Sequence, residues 1–422
     1  MRVYLETYGC WLNKALSNAI EQLVVEEGGE LVSSPEEADV IIVNTCAVRA
    51  ESERRVLRRL EELGRLNARI AVVGCLVNVR PYTILSAVPR ATLLEPSALG
   101  LTRRFLEGED LVVVRKYEGG ILVPKYRGGV RYVVPIETGC TGNCGFCVEP
   151  IVRGRGVQSL EPNLVLELVE EAVRKGAKEV YLTGQDVAAY GLDRGTDLAA
   201  LLEAILEEIE GDYRVRLGMM EPWLASRFAE RLGRLMRDER VYKYLHLPVQ
   251  SGDDGVLRLM GRRYGVAEYE HLVYTFRELV EEVSVVTDII VGYPGESYEA
   301  FERSVELVKR LMFDKVHVAR YTFRPFTKAY IAECQVPEPE KKRRSRILSR
   351  IALRVAYEVN RSYLGKVFEV LVTDRGVKPG TFIARTDTYK PVALSASLKI
   401  GERVKVRIAE ASPTHLVGEV LD

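Results

Sequence analysis

The chain has 422 residues, which at roughly 100–200 residues per domain is enough for two to four domains with sizeable cores. Hydrophobic residues make up 47% and charged residues 28%, a globular balance that excludes disordered and collagen-like classes. Sixty basic and sixty acidic side chains cancel, so a nucleic-acid partner has to be held by a local patch and not by bulk charge.

Along the chain, three short apolar runs at 3–7, 40–45 and 70–74 alternate with helical patterns such as 18–27 and 51–63. This β–α–β rhythm, with strands apolar on both faces, predicts a parallel sheet covered by helices. Each run ends on a cysteine within about three residues: Cys10, Cys46 and Cys75. Parallel strands all exit at one edge, so the three sulfurs are expected to meet in one crevice. Glycine pairs and Pro124 then mark a connection or hairpin around 119–129.

A second rhythm follows, with strands expected at 133–138, 179–184, 214–220, 244–250, 285–293 and 315–323. Amphipathic stretches at 164–175, 198–209, 268–282 and 300–311 separate them. Six such units predict a partial parallel barrel, short of the eight strands of a closed one, with its chemistry on the loops at the strands' C-terminal ends. Pro337 and Pro339 precede a basic stretch, 341–361, expected to be helical. The last sixty or so residues alternate in hydropathy between Gly, Pro and Asp signals and predict a small antiparallel β-barrel. No uncharged apolar run approaches the roughly 18–20 residues that span a bilayer, and Arg2 and Glu6 break up the start. The expectation is a cytoplasmic protein without leader or anchor. Asn and Gln together number thirteen, a scarcity associated with heat adaptation.

The densest chemical signal is Gly139-Cys140-Thr-Gly-Asn-Cys144-Gly-Phe146-Cys147, placed just after the first strand of the second rhythm. Three thiolates within eight residues can bind three irons of a [4Fe–4S] cube from one loop, leaving one iron open to a substrate or cofactor. The alternative is a structural zinc loop, although zinc sites usually pair two CxxC knuckles or add His. For Cys10, Cys46 and Cys75 the alternative is buried structural thiols, and Cys334 reads as ordinary packing.

CxxxCxxC with an aromatic before its last cysteine resembles the radical S-adenosylmethionine (SAM) family. The motifs Leu182-Thr-Gly-Gln-Asp-Val187, His246-Leu-Pro-Val-Gln-Ser-Gly252, Met260-Gly-Arg-Arg-Tyr264 and Thr287-Asp-Ile-Ile-Val-Gly-Tyr-Pro-Gly-Glu296 resemble its methylthiotransferases. Thr7-Tyr-Gly-Cys10 with Asn13, Asn44-Thr-Cys46-Ala-Val-Arg49 and Gly74-Cys75 resemble their N-terminal cluster domain, and the C-terminal barrel resembles their TRAM domain, an OB-like RNA-binding module. The resemblance implies an N-terminal α/β cluster domain (1–118), a partial (β/α)6 radical SAM core (130–340), a basic helical connection (341–361) and a TRAM domain (362–422). It implies one [4Fe–4S] cluster on Cys140, Cys144 and Cys147 and a second on Cys10, Cys46 and Cys75, with SAM contacted by Phe146, Gly184, Gln185, Gln250, Ile289 and Gly292. It also implies that a deoxyadenosyl radical abstracts hydrogen from C2 of a modified adenine, after which sulfur and methyl are added.

The implied partners are a tRNA anticodon stem-loop, an external reductant and a sulfur source, with no membrane. The basic stretch would meet phosphates, and Phe368, Phe382 and Tyr389 would stack on bases. Three branches share the chemistry, acting on N6-threonylcarbamoyladenosine in tRNA, on N6-isopentenyladenosine in tRNA, or on an aspartate of a ribosomal protein. The Gly-Cys-Thr-Gly-Asn-Cys pattern resembles the archaeal and eukaryotic threonylcarbamoyladenosine branch. A reading from another class is a non-catalytic iron–sulfur RNA-binding protein. Two departures stand out. Arg324-Pro-Phe-Thr-Lys-Ala329 puts Phe326 and Lys328 where the family often has Gly and Pro, and Glu149 follows the cluster loop where an apolar or Lys-containing tract is usual.

Overall fold

The computed structural model describes residues 1–47, 50–115 and 119–421, with the side chains of Ala50 and Glu51 outside that description. Val48 and Arg49 of the Asn44–Arg49 motif, residue 118 at the expected domain boundary, and Asp422 therefore lie outside the described residues.

Six parallel strands form the first sheet: β1 (Arg2–Thr7), β2 (Glu30–Leu31), β3 (Val40–Thr45), β4 (Arg69–Gly74), β5 (Thr92–Leu94) and β6 (Val112–Val113), in the order β2-β1-β3-β4-β5-β6. The helices Trp11–Glu26 and Ala50–Leu63 cover opposite faces. Leu12, Leu16 and Ile20 of the first pack on Val3, Ile42 and Ala71, whereas Val56, Leu60 and Leu63 of the second pack on Ile41, Val43 and Val72. This alternation along β3 is why its run is apolar at every position. The connection at 119–129 is not a hairpin. It is pinned to the first helix by Gln22, whose Nε2 donates to the Lys125 carbonyl (2.6 Å) while its Oε1 accepts from the Lys125 N–H (2.9 Å).

The second rhythm forms a six-stranded half-barrel, β7 (Arg131–Pro135), β10 (Glu179–Thr183), β11 (Arg214–Leu217), β12 (Tyr244–His246), β13 (Ser284–Val291) and β14 (Lys315–Arg320), with β8 (Glu137–Cys140) and β9 (Gly156–Ser159) forming a separate antiparallel pair. The ladders run β11-β10-β7 and β12-β13-β14, joined through a parallel bridge between Met219 and His246. The run expected as one strand at 133–138 is broken, because Pro135 has no N–H to extend the parallel ladder. Beyond it β8 turns to pair with β9. Gly139 there has φ +94°, and a Cβ would meet the Gly156 carbonyl at 2.5 Å, so only glycine allows the two strands this close. The strand expected at 244–250 stops at His246 for related reasons, since Pro248 cannot donate and Gln250 has φ +73°.

Val180, Leu182, Val215 and Ile289 face the surrounding helices, whereas Tyr181, Tyr244 and Val286, one residue out of phase, face the lumen. The helix Tyr298–Leu311 packs outside, and the 24-residue helix Glu338–Arg361 runs along β14. That helix is less free than its charge pattern predicts. Lys341 is 1% exposed and Arg344 5% exposed, with Arg344 Nη1 on Glu296 Oε2 (2.6 Å), because both side chains face the barrel.

The C-terminal strands, β15 (Val367–Arg375), β16 (Thr381–Arg385), β17 (Pro391–Ser395), β18 (Arg403–Ala411) and β19 (Leu416–Val420), close into a barrel in the order β15-β16-β17-β19-β18. One pair, β17 with β19, is parallel, so the barrel is not purely antiparallel. The aromatics expected to stack on bases are each half-buried in internal contacts. Phe368 and Phe382 pack on the barrel core, and Tyr389 enters the base of the half-barrel, its ring 5.0 Å from Tyr242 and 5.1 Å from Tyr244 and its hydroxyl bonded to that of Tyr181.

Candidate active site

Cys10, Cys46 and Cys75 follow β1, β3 and β4, which are neighbours in the sheet. Cys10 is the N-cap of the helix Trp11–Glu26 and Cys75 opens the helix Cys75–Val79, so both residues lie at helix starts. Side-chain amides hold the turns. Asn13 Nδ2 donates to the carbonyls of Tyr8 (2.7 Å) and Thr45 (2.9 Å), and Asn44 Nδ2 donates to the Asn13 carbonyl (2.9 Å). Burial pushes the Cys75 thiol up, as do Glu149, Cys46 and Cys10, while Arg153 opposes them. Cys46 and Cys10 thus lie near enough to Cys75 to act on its thiol.

Cys140, Cys144 and Cys147 lie on the loop after β8, anchored where the Gly145 N–H donates to the Met260 carbonyl (2.9 Å) and the Ala329 N–H to the Gly145 carbonyl (2.8 Å). Gly142 leaves the space between sulfurs clear, since a Cβ there would lie 3.2 Å from Cys140 Sγ and 3.6 Å from Cys144 Sγ. Burial pushes the Cys140 thiol up to about 12 and the Cys147 thiol well above its usual value. None of the seven cysteines is in a disulfide. Three thiols on one loop and three at one sheet edge are donor sets suited to a cube spread between three thiolates.

Both trios border the short helix Glu149–Val152, which follows the cysteine loop. Arg153 at its end donates from Nη2 to Asn13 Oδ1 (2.8 Å) and to Cys75 Sγ (3.4 Å). Glu149 at its start raises the thiols of both Cys75 and Cys147, and its Oε2 is shielded from solvent without a hydrogen-bond partner. Burial raises the Glu149 carboxyl itself.

The residues expected around SAM are placed unevenly. Phe146 packs edge-on against Tyr293 (centroids 6.3 Å apart) beside Ile290. Gln185 Oε1 accepts from the Gly139 N–H (3.2 Å), which sets its amide beside the cysteine loop. Gln250 is 8% exposed, and its Oε1 is buried without a partner, as fits a site shaped for a donor absent from the chain. Gly184 clears room for Glu137, whose carboxylate a Cβ would overlap and which accepts the Asp186 N–H (2.8 Å). Ile289 is fully buried on the helix side of β13, so Ile290 and not Ile289 is the residue near Phe146. Gly292 is crowded by the Lys341 stem, whose Cγ a Cβ there would meet at 2.3 Å.

Sequence reasoning assigned no role to Arg262, although it stands in the quoted Met260–Tyr264 motif. Its side chain is 8% exposed, 3.6 Å from Glu221 Oε1, 5.7 Å from the Phe146 ring, and its Nε is buried without a partner. Asp186, pushed up to about 7 by burial, caps the turn below. Of the departures, Phe326 adopts φ +67°, and its ring lies 4.6 Å from the Arg115 guanidinium.

Residues 134–308 match the radical SAM superfamily, residues 2–94 an uncharacterised family, UPF0004, and residues 361–421 the TRAM domain. A Pyrococcus horikoshii protein named "Probable threonylcarbamoyladenosine tRNA methylthiotransferase" is 40% identical, with all of both chains covered. The chain belongs to the radical SAM methylthiotransferase family. A second relative, a Fervidobacterium nodosum tRNA-2-methylthio-N(6)-dimethylallyladenosine synthase, is 34% identical over 100% of this chain and 99% of its own. Among solved structures, a radical S-adenosylmethionine methyltransferase from Kitasatospora setae shares the fold with a TM-score of 0.58 at 15% identity, over 78% of this chain and 75% of that one. As a member of this family the chain is an enzyme that uses SAM and [4Fe–4S] clusters, and the thiol trios described above are a donor set suited to such clusters. No described helix is long and apolar enough to cross a membrane.

Proposed function

We propose that this enzyme converts N6-threonylcarbamoyladenosine next to the anticodon of tRNA to its 2-methylthio derivative. The observation that supports the reading is that both thiol trios border one short segment, Glu149–Arg153, with Arg153 on Cys75 and Glu149 acting on Cys75 and Cys147. Four pieces, 1–118, 130–340, 341–361 and 362–422, divide the work: auxiliary cluster, SAM chemistry, connection and RNA binding.

Cys140, Cys144 and Cys147 hold one cluster and Cys10, Cys46 and Cys75 the other. When bound, these clusters and SAM supply the radical, the sulfur and the methyl group, with electrons and sulfur coming from outside the chain. Arg262 pairs with the carboxylate of the methionine end, its guanidinium being a buried cation beside both the cysteine loop and Phe146. The amide of Gln185 orients the same end, and Gln250 Oε1 accepts from the exocyclic amine of adenine. Phe146, Ile290 and Tyr293 form the apolar wall that keeps water from a reactive carbon radical. Arg343, Arg346, Arg350, Arg354 and Arg361 are exposed and recur at helical spacing along one face about 27 Å long, a stripe suited to phosphates of the anticodon stem-loop. An anticodon-loop base is single-stranded and can be extruded at low cost. The cytoplasm is where such a substrate is met.

Nucleoside mass spectrometry of tRNA from a deletion strain, with and without the restored gene, tests the assignment. Loss of 2-methylthio-N6-threonylcarbamoyladenosine supports it. Loss of the isopentenyl derivative, or of methylthio-aspartate in a ribosomal protein, moves the enzyme to another branch, and unchanged nucleosides overturn the function.

A further inference from the structure

The half-barrel lumen holds a cluster that the SAM and cluster chemistry leaves unused. β12, β13 and β14 are neighbours, and each turns one side chain inward at a common level: His246, Asp288 and His317. Asp288 and His317 are cross-strand partners in the parallel ladder, and His246 ends β12 alongside. One ligand atom from each, two imidazole nitrogens and a carboxylate oxygen, all lie within 4.8 Å of one another. His246 Nε2 is 2.7 Å from Asp288 Oδ2, and the two imidazoles are 5.7 Å apart, tilted by 52°. Among the described residues no other set of His, Cys, Asp or Glu gathers in this way.

The surroundings define a site and not a stray ion pair. Below it, Tyr242, Tyr244, Val286 and the inserted Tyr389 close the lumen base, with the Arg216 guanidinium held between the Tyr181, Tyr244 and Tyr389 rings. Above it on the lumen side of β13 comes Ile290, which packs with Phe146 and Tyr293 of the candidate active site. The His246 and Asp288 side chains keep 19% and 25% exposure, so the cluster borders open space. A structural hydrogen bond needs only His246 and Asp288. His317 brings a second imidazole to the same carboxylate, so that three donor atoms gather around one point.

We propose that His246, Asp288 and His317 bind one divalent transition ion, zinc(II) or iron(II), with at least one coordination position open to the lumen. Two imidazoles and one carboxylate are the donor set such ions take, while magnesium and calcium prefer all-oxygen shells. A dication with a single carboxylate and two neutral imidazoles keeps a net positive charge, so the open position takes water or an anionic oxygen.

Cluster-loaded enzyme is incubated with zinc sulfate, desalted, and assayed for zinc and iron together, with zinc K-edge absorption on the same sample. The expected result is one zinc per chain, in a nitrogen and oxygen shell, over and above the cluster iron. His317→Ala should lower the zinc content by about tenfold or more at unchanged iron, and His317→Asp, which returns a ligand atom, should retain zinc. An absence of stoichiometric zinc in the unmodified enzyme, a sulfur shell around it, or zinc undiminished in His317→Ala overturns the site. Should His317→Ala fail to keep its iron, the absorption edge of the unmodified enzyme decides alone, an imidazole-containing shell supporting the site and any other overturning it.

Discussion

Asp186 is 5% exposed, and its Oδ1 accepts the N–H groups of Ala188 (3.2 Å) and Glu221 (2.9 Å). Burial lifts its carboxyl from 3.8 to about 7, so the folded chain holds a proton that the unfolded chain releases. The stabilisation from the neutral acid is complete below the unfolded value and is lost as pH rises through about 7. Asp186→Asn keeps an acceptor oxygen for both N–H groups and removes the titration. The melting temperature of this variant, followed from about pH 5 to about pH 8, should fall less than that of the parent, and parallel curves would refute the assignment. Arg262 makes a second prediction at this scale. Arg262→Gln removes the cation proposed to meet the methionine carboxylate, a charge-assisted bond of about 1.5–3 kcal/mol, so SAM affinity measured on cluster-loaded protein should drop roughly 10- to 100-fold. An unchanged dissociation constant would place the carboxylate elsewhere.

The helix Glu338–Arg361 carries two kinds of arginine and lysine that its charge pattern alone does not distinguish. Lys341 and Arg344 face the barrel, where they pack on Gly292 and pair with Glu296, whereas Arg346, Arg350 and Arg354 face outward. Replacing the last three together with alanine should weaken tRNA binding and reduce the slope of log affinity against log salt by about two to three, without changing the melting temperature appreciably. An unaltered slope would remove the helix from the RNA interface. Along β13, the assignment of Ile289 to the pocket fails on strand parity. Side chains alternate with a period of two, and the neighbouring sheet order, not the local sequence, decides which parity meets the lumen.

For the whole molecule, the β15–β19 barrel does more than present a surface. Its Tyr389 sits among Tyr181, Tyr242 and Tyr244 with the Arg216 guanidinium 4.9 Å from its ring, which seals the base of the half-barrel. Tyr389→Ala should cost about 2–3 kcal/mol through the void and the loss of aromatic contact to a buried cation. Tyr389→Phe should cost about 1 kcal/mol, the hydroxyl bond to Tyr181 alone. Denaturation midpoints of the two variants check the ordering, and equal losses would show that the ring contributes little. The same docking means that deleting residues 362–422 would strip the base of the half-barrel as well as the proposed RNA-binding module, so loss of RNA affinity on deletion is ambiguous where the arginine replacements are not.

Residue type and spacing alone determined the two cysteine trios, because thiolate chemistry is carried by the residues themselves and a parallel sheet sends every strand's C-terminal end to one edge. They also determined the order of sheet, half-barrel and small barrel, since periodicities of 2 and 3.6 are local properties of the chain. Tertiary structure decided what depends on residues far apart in sequence: that Gly292 faces Lys341, that Tyr389 fills the base of the half-barrel, that Arg262 stands by the cysteine loop, and that His246, Asp288 and His317 converge. Each of these is a contact between side chains on separate elements, set by how those elements pack, and no local pattern encodes it.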